Sequence, residues 1–565
     1  MDSANETSPN TTLPGPTDAV NVETSAPSQT APANPDPRLT YAENEEEEVN
    51  EPFDLIDAIS KELLSVPPQR IPVHPSKIPE DLEGAESLNS LPSAPLHQAF
   101  SSAPTPLDGS GSGPITGPPS ADSYLDEDGV HRSGNLWTAS AHVITAVIGA
   151  GVLSLPYSMA SLGWIAGPIC FLLFAVITLY TAQLLADLYI LDGRRQRTYT
   201  QMVATVFGRW GEISVAAVQQ FNLVLTGLAY TITAATTMQL LANSACGAES
   251  VSAGTCFNSQ WKMACIFGAL QIVMSQLPNL ERVWWVSVIG AVMSFGYAII
   301  ALILPWVYFD THGTVGGISE SSSAQKAWSV LNGIGAILFA YSFSFILLEI
   351  QDTIRTKKGA RYGPITTMKK AVNLCVFVMT IFYVSIAVFN YLALGNEVSA
   401  FVLDSYPQAP SWVIDTANSM VLIHMIAAYQ VWSQPHYEWV SDMVFGRDDE
   451  DEVDRQKRRN KLPRFITPLS VKLVYRSVYV CVLTFLAILM PFFNVILGLV
   501  GALGFWPATI FFPVECWIKV FKPKRKLKYC MRALDVFCFA VTVASIAGSV
   551  QQIVVSSSSM TLFGN

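Results

Sequence analysis

Long apolar segments alternate with short polar connections from Trp137 almost to the end of the chain. A helix that crosses a bilayer needs about 20 predominantly apolar residues. The pattern therefore predicts an all-α integral membrane protein with eleven transmembrane helices, called spans 1 to 11. These spans cover residues 137–160, 163–190, 211–243, 261–277, 283–309, 327–350, 368–393, 411–434, 473–490, 493–517 and 531–555.

Residues 1–132 have the opposite character, because they are rich in proline, serine and acidic side chains. Residues 1–136 contain 23 Asp and Glu against 5 Lys and Arg, so this region makes the whole chain acidic, with a net charge of −11. Such a segment buries too little apolar surface to offset its conformational entropy. We therefore expect residues 1–132 to be a disordered tail and residues 133–565 to form the membrane domain.

One stretch of the tail, residues 53–66, places Leu55, Ile59 and Leu63 at four-residue intervals. This spacing is typical of one apolar face of a helix. It indicates either a transient helix or a docking segment for a regulatory partner.

Basic residues fix the orientation of the predicted spans. If the tail is cytoplasmic, the connections on that side hold 27 of the 34 Lys and Arg residues, and the opposite side holds only Lys262 and Lys326. Cytoplasmic loops of membrane proteins carry an excess of Lys and Arg. The sequence therefore predicts a multi-pass protein with a cytoplasmic N-terminus and an extracellular C-terminus.

Two of the nine cysteines, Cys246 and Cys256, share the outer connection between spans 3 and 4. Because that face is oxidising, a disulfide between them is expected, with two free thiols as the alternative. The chain shows no nucleotide-binding loop, nucleophile elbow or metal-ligand spacing. We therefore expect no enzyme activity, no metal, no cofactor and no nucleic-acid partner.

Span 1 contains helix-breaking residues in "ITAVIGAGVLSLP" (144–156), which places Gly149, Ala150 and Gly151 about 18 Å from its cytoplasmic start. Pro156 follows shortly after and removes a backbone donor. A broken helix exposes N–H groups that suit a carboxylate and C=O groups that suit an ammonium or a cation. The alternative is a close contact between helices through small residues.

Span 6 is irregular at its middle, where "AYSFSF" (340–345) brings several hydroxyl groups. It lies five spans after span 1, which is the spacing expected of inverted five-helix repeats. Hydroxyls bonded to their own helix are the alternative. Asn222 and Tyr230 in span 3 are further candidates to line a cavity, whereas helix capping or solvation explains Glu349 and Asp352 at the cytoplasmic end of span 6.

Two histidines lie within predicted spans, His142 in span 1 and His424 in span 8. Ionisable residues are costly inside a membrane, and histidine exchanges a proton near neutral pH. The pair is therefore predicted to couple a proton to the function of the protein. Neutral histidines packed with a hydrogen bond are the alternative.

Seven motifs resemble, in order, those of the amino acid/auxin permease family, and of the plant amino acid permeases in particular. The similarity runs over essentially all of residues 133–550. At the first break, Gly149-Ala150-Gly151 followed by Pro156-Tyr157 is more similar to the lysine/histidine-type branch. The motifs are "SGNLWTASAHVITAVIGAGVLSL", "LGWIAGP", "QLLADLY", "WWVSVIGAVMSF", "LLEIQDTI", "VIDTANSMVLIHMIAAYQVW" and "PFFNVILGLVGALGFWPATIFFPVE".

This resemblance implies the leucine-transporter-type fold, in which spans 1–5 and 6–10 form a 5+5 inverted repeat and spans 1 and 6 are unwound. It implies proton-driven symport of amino acids across the plasma membrane, with the proton gradient as the driving force. The coupling cation would lie between spans 1 and 8, where His142 and His424 are found. The substrate would lie between the breaks, with the expected binding residues Ile148, Gly149, Ala150, Gly151, Val152, Asn222, Tyr230, Tyr341, Ser342, Phe343 and Ser344.

Two other functions fit the same sequence. Within the family, auxin or another weak organic acid is the rival substrate. From a different class, a non-transporting amino acid sensor would use the acidic tail to signal to a partner.

Overall fold

The computed structural model describes residues 132–276, 284–309, 314–355, 363–446, 456 and 471–558. The predicted tail lies outside these ranges except for Arg132. The described chain is mostly helical, and its two strands, β1 (Ile190–Leu191) and β2 (Arg194–Arg195), form a short antiparallel hairpin. The α-helices are α1 (Leu136–Val147), α2 (Leu155–Asp187), α3 (Tyr199–Ser252), α4 (Gln260–Ser275), α5 (Trp284–Val307), α6 (Ser323–Ala340), α7 (Ser344–Asp352), α8 (Gly363–Leu394), α9 (Ser411–Phe445), α10 (Arg476–Leu489), α11 (Phe493–Phe505), α12 (Phe512–Phe521) and α13 (Arg525–Ser558).

Short 3₁₀ and π segments join several of these helices. A 3₁₀ segment, Ala150–Ser154, connects α1 to α2, and two more, Gly395–Glu397 and Val402–Ser405, follow α8. Two π segments, Val471–Tyr475 before α10 and Trp506–Phe511 between α11 and α12, lengthen the helical runs.

Eight helical segments in the described part of the chain are long and apolar enough to cross a membrane. The first begins only at Gly151, because α1 is a shorter apolar helix of 12 residues. The eight segments are Gly151–Asp187, Tyr199–Gly247, Val288–Val307, Ser323–Asp352, Gly363–Glu397, Lys472–Leu489, Phe493–Phe521 and Arg525–Ser558.

A sharp bend inside α2 separates the regions predicted as spans 1 and 2. Gly163 has a φ of 80°, a conformation that residues with a side chain rarely adopt. The following loop packs against the bend, where Trp164 N–H donates to the Val315 carbonyl and Ile318 N–H donates to the Ala160 carbonyl. A Cβ atom at Gly163 would collide with the Val315 carbonyl oxygen. Only glycine therefore fits this bend.

A disulfide links the end of α3 to the connection before α4. Cys246 and Cys256 are bonded with an S–S distance of 1.98 Å and a Cα–Cα distance of 5.9 Å. The remaining cysteines of the described residues are free thiols.

The segment before α1 is attached to the end of α7. Arg132, assigned by the sequence to the tail, is 2% exposed, and its Nη2 lies 3.0 Å from Asp352 Oδ1. Its Nε also donates to the Asp352 carbonyl, at 2.6 Å. Tyr189, just after α2, donates its hydroxyl to the same carboxylate at 2.6 Å. The packed region therefore includes Arg132, and Asp352 is a buried ion-pair partner rather than a solvated residue at a helix end.

We expect Asp352→Leu to lower the free energy of unfolding by about 3–5 kcal/mol, because the change removes the Asp352 carboxylate from a buried ion pair with the Arg132 guanidinium. The measurement is the midpoint of thermal denaturation of the purified protein in detergent. The double variant Arg132→Met/Asp352→Leu is expected to be less destabilised than Asp352→Leu alone.

Glu515→Leu is the matched control, because Glu515 pairs with Arg532 at 2.9 Å and the arginine side chain is 47% exposed. Such exposed pairs contribute little to stability. A Glu515→Leu loss as large as that of Asp352→Leu would contradict a special role for the buried pair.

Candidate functional site

The helix is interrupted between α1 and α2, at the position where glycines are concentrated. α1 ends at Val147, and Ile148 and Gly149 have extended backbone angles before the 3₁₀ segment begins. The N–H groups of Gly149 and Gly151 make no hydrogen bond to the described residues. Unbonded N–H groups at the start of a helical segment favour an anionic partner.

A second interruption separates α6 from α7. α6 ends at Ala340, and the chain passes through Tyr341, Ser342 and Phe343 before α7 starts at Ser344. The N–H of Ser342 bonds back to the Phe339 carbonyl at 3.1 Å. This interruption therefore presents the carbonyl end of α6 and the amino end of α7 next to each other.

A cavity of about 320 Å³ extends from the first interruption towards a group of charged residues. Ile148 and Gly149 lie at the interruption, and Arg197, Glu349 and Glu438 are charged members of the lining. The other lining residues are His142, Thr145, Ala146, Thr198, Gln219, Asn222, Leu223, Tyr230, Gly290, Ala291, Phe345, Ile346, Ile350, Thr353, His424, Ala427, Ala428, Val431, Trp432 and Pro435.

A smaller cavity of about 50 Å³ is lined by residues of the same interruption. Gly151 from the first interruption and Ser342 from the second both line it. Its remaining lining residues are Ala146, Val147, Gly149, Asn222, Tyr230, Thr233, Phe339, Trp432 and Leu497. The two interruptions therefore meet at this smaller cavity.

His424 on α9 is buried and directed at the first interruption. Its Nδ1 lies 2.8 Å from the Gly290 carbonyl on α5. A carbonyl oxygen only accepts hydrogen bonds, so Nδ1 carries the proton in this contact. The other nitrogen, Nε2, would lie 3.6 Å from a methyl group placed on Gly149. Nε2 is therefore the nitrogen that can exchange a proton or contact a ligand at the break.

The other predicted polar residues join His424 around the cavities. His142 on α1 is half-buried in the wall of the larger cavity. Asn222 and Tyr230 on α3 line both cavities, and so does Trp432, whose ring lies 6.5 Å from that of Tyr230. The sequence did not indicate Trp432 as a site residue, because it is one aromatic residue in an apolar helix.

Several predicted binding residues direct their side chains elsewhere. The hydroxyl of Tyr341 bonds to Thr380 at 3.3 Å, and that of Ser344 bonds to Thr509 at 3.0 Å. Val152 and Phe343 are buried in the core. The hydroxyls of Tyr341 and Ser344 therefore have partners within the protein, whereas Ser342 lines the smaller cavity.

Three charged residues in the lining of the larger cavity were not predicted as part of the site. Glu349 on α7 and Glu438 on α9 line it together with Arg197, just before α3. The sequence assigned Glu349 to a solvated helix end, since nothing in one helix shows which cavity its face adjoins. The described residues include no group of three or more His, Cys, Asp and Glu placed to hold a metal ion.

Comparisons with known proteins cover nearly all of the described chain. A sequence profile of the family described as transmembrane amino acid transporter protein matches residues 132–555. Amino acid permease 2 of Arabidopsis thaliana is 37% identical over 443 residues, which is 75% of this chain and 89% of the relative. Amino acid permease 3 of the same plant is 37% identical over 444 residues, or 76% of this chain and 92% of the relative.

A third relative comes from the other branch that the first span resembles. Lysine histidine transporter-like 1 of Arabidopsis thaliana is 30% identical over 438 residues, covering 76% of this chain and 91% of the relative. A solved structure of a manganese transporter from Eremococcus coleocola covers 77% of this chain and 94% of its own, with a TM-score of 0.45 and 13% identity. That likeness is too weak to support a structural inference.

Steric contacts predict different losses of stability when a methyl group is added at the two glycines of the first interruption. A methyl group at Gly151 would lie 2.9 Å from two ring carbons of Phe339, whereas one at Gly149 has only the 3.6 Å contact with His424. We expect Gly151→Ala to lower the free energy of unfolding by about 1–3 kcal/mol through overpacking. Gly149→Ala should change it by less than about 1 kcal/mol.

Thermal denaturation in detergent measures both changes, and a Phe339→Ala background tests the cause. Because the clash is with the Phe339 ring, Gly151→Ala should cost less in that background than in the natural chain. An identical cost in both backgrounds would show that the ring is not the obstacle.

Proposed function

We propose, since this chain belongs to the transmembrane amino acid transporter family, that it is a proton-coupled symporter that imports amino acids by alternating access. The observation that carries this proposal is the meeting of two interrupted helices at a cavity wall. An amino acid zwitterion needs an anion site and a cation site a few ångströms apart, and two adjoining helix breaks supply both.

The backbone takes the main role in binding the substrate in this proposal. The unbonded N–H groups of Gly149 and Gly151 bind the carboxylate, within the predicted segment from Ile148 to Val152. The carbonyl end of α6, with the hydroxyl of Ser342, binds the ammonium. Asn222 and Tyr230 complete the site from α3.

The proposed membrane topology divides the first candidate span at the bend at Gly163 and adds two helices. We propose that α1, the 3₁₀ segment and the start of α2 cross the bilayer as span 1, that the rest of α2 is span 2, and that α4 and α9 also cross, which gives eleven spans with a 5+5 inverted repeat. In this proposed topology the N-terminus is cytoplasmic and the C-terminus is extracellular. We propose the plasma membrane as the location. In that orientation Arg197, Glu349 and Glu438 lie at the cytoplasmic side, so the larger cavity faces the cytoplasm.

Contacts between helices support a division into two groups that move against each other. The first group contains α1, α2, α7 and α8, and the second contains α3, α4, α9 and α10. The contacts of the first group are Arg132 with Asp352, Gln351 with the Ala186 carbonyl, Lys369 with Asp187, and Cys375 with the Ser140 carbonyl. Those of the second are His436 with Gln220, Gln430 with Gln271, and Arg476 with the Ser275 carbonyl.

The larger cavity is lined by both groups. His142 and Glu349 come from the first, and Asn222, His424 and Trp432 come from the second. A shift of one group relative to the other would change which side of the membrane the cavity reaches. This is the movement that alternating access requires.

His424 is the stronger of the two candidates for proton coupling. Its Nδ1–H is held by the Gly290 carbonyl, so protonation of Nε2 adds a positive charge beside Gly149, where the substrate carboxylate would bind. Proton and substrate then stabilise each other at the same place. His142 lies on the wall of the same cavity and is proposed as its partner in the proton path.

Amino acid uptake into proteoliposomes should rise when the outside is made more acid than the inside. His424→Asn should abolish this stimulation, because the asparagine N–H₂ can replace Nδ1–H at Gly290 while the exchangeable nitrogen is lost. Substrate affinity should stay within about tenfold of that of the natural chain, a change below about 1.4 kcal/mol. His142→Asn is measured in parallel.

Four outcomes would overturn parts of the proposal. A substrate-evoked current that does not depend on external pH would remove proton coupling, and intact coupling in the double variant His142→Ala/His424→Ala would move it to other residues. Uptake of labelled indole acetate in preference to amino acids would indicate an organic-acid importer. Binding of amino acids without flux would indicate a sensor.

A further inference from the structure

A short connection near the end of the chain concentrates positive charge. α12 ends at Phe521 and α13 begins at Arg525, and Lys522 turns the chain between them with a left-handed φ of 48°. Five basic residues lie in this connection and in the first turn of α13, and all of them are exposed except Lys528, which is half-buried. The five residues, called the basic turn, are Lys522, Lys524, Arg525, Lys526 and Lys528.

The charge of the basic turn has no counter-charge in the described part of the chain. None of its five side chains makes a hydrogen bond or an ion pair with a described residue. The only two acidic residues in the sequence after Phe512 are engaged elsewhere. Glu515 pairs with Arg532 at 2.9 Å, and Asp535 accepts a hydrogen bond from the Trp506 indole at 2.8 Å.

Several basic residues elsewhere in the chain do have partners. Lys369 pairs with Asp187 at 2.7 Å, and Lys519, just before the basic turn, donates to the Val206 carbonyl at 2.7 Å. The general excess of Lys and Arg on the cytoplasmic side explains why basic residues occur there. It does not explain five neighbouring cations without an acidic partner, because like charges at short range repel one another.

The basic turn lies where α13 passes from the surface into the membrane. α13 is a candidate membrane span of 34 residues, or about 51 Å at the rise of an α-helix. The hydrocarbon core of a bilayer is only about 30 Å thick, so part of α13 extends beyond it. Because every basic residue of α13 lies within 525–532, this end of the helix is expected at the level of the lipid headgroups.

An exposed apolar stripe runs along α13 from its basic end. Its four members follow one another at seven-residue intervals, which places them on one face of the helix. They are Tyr529, Val536, Val543 and Val550. Met531 and Cys538, on the opposite face, are buried against the rest of the protein. The stripe therefore faces the lipid, and a tyrosine at its end is typical of the membrane surface.

We infer that the basic turn and the stripe together bind an anionic phospholipid of the cytoplasmic leaflet. The acidic headgroup lies among the basic side chains, and the acyl chains follow the stripe. Arg525 lies four residues before Tyr529, so it joins the two parts on one helix face. The inference goes beyond amino acid transport and rests only on the proposed membrane topology.

The two parts of this site select the ligand in different ways. Clusters of about four to eight Lys and Arg beside a membrane helix are typical of binding to acidic lipid headgroups. Neutral lipids would gain nothing from these charges, and a soluble phosphate would make no contact with the stripe. An anionic phospholipid uses both parts.

The test measures the binding of two lipids to the purified full chain in a neutral detergent. Phosphatidylserine and phosphatidylcholine carry the same fluorescent acyl chain, and the affinity of each is determined by titration. The natural chain should bind phosphatidylserine at least about tenfold more tightly, because only that lipid has a net negative charge.

The variant Lys524→Gln/Arg525→Gln/Lys528→Gln should reduce this preference to about threefold or less, because most of the charge of the basic turn is lost. Inorganic phosphate and glycerophosphoserine, which is the headgroup without acyl chains, should not displace the labelled phosphatidylserine. Each preference compares two lipids on the same variant, so the amount of folded protein does not affect it.

The matched control is Arg194→Gln/Arg209→Gln/Lys370→Gln. These three side chains are also exposed and make no ion pair with a described residue, but they lie outside the basic turn. The control removes the same number of charges and should keep the preference for phosphatidylserine within about twofold of that of the natural chain.

Three results would overturn the inference. Equal affinities for the two lipids on the natural chain would show that the headgroup is not recognised. An equal loss of preference in the two triple variants would show a general effect of net charge. Displacement by glycerophosphoserine would show that the basic turn binds soluble phosphates instead of a lipid. None of these measurements involves amino acid uptake, so the proposed function is tested separately.

Discussion

The requirement that every backbone polar group in a membrane finds a partner governs this structure. An uninterrupted helix meets that requirement by itself, so a break is tolerated only where the exposed groups adjoin protein or a polar cavity. Both breaks in this chain satisfy the condition, since both line the same small cavity. The rule accounts for the position of both breaks beside a cavity.

Glycine serves two different purposes around the break. At Gly149 the absence of a side chain leaves room beside the Nε2 of His424, and at Gly151 it leaves room for the ring of Phe339. Neither residue has the positive φ that is found at Gly163. The glycines at the break are therefore required for the close approach of neighbouring groups, whereas Gly163 is required for the shape of the backbone.

The sequence predicted the parts of the structure that depend on local composition. The break at 148–151 followed from glycine in an apolar helix, and the interruption at 341–343 followed from a cluster of polar residues in span 6. The sequence did not predict that the Tyr341 and Ser344 hydroxyls bond to Thr380 and Thr509, because the rotation of a helix depends on its neighbours. For the same reason Asp352 could not be recognised as the partner of Arg132, 220 residues earlier.

The unbonded donors at the first break belong to the main chain, and this affects how the site can change during evolution. No substitution removes a backbone N–H except a change to proline, so the N–H groups of Gly149 and Gly151 are kept while the surrounding side chains vary. In the proposed site, recognition of the part common to all amino acids is thereby separated from recognition of the part that differs. A family built on this arrangement can alter its range of substrates through a few wall residues and inherit the rest of the site unchanged.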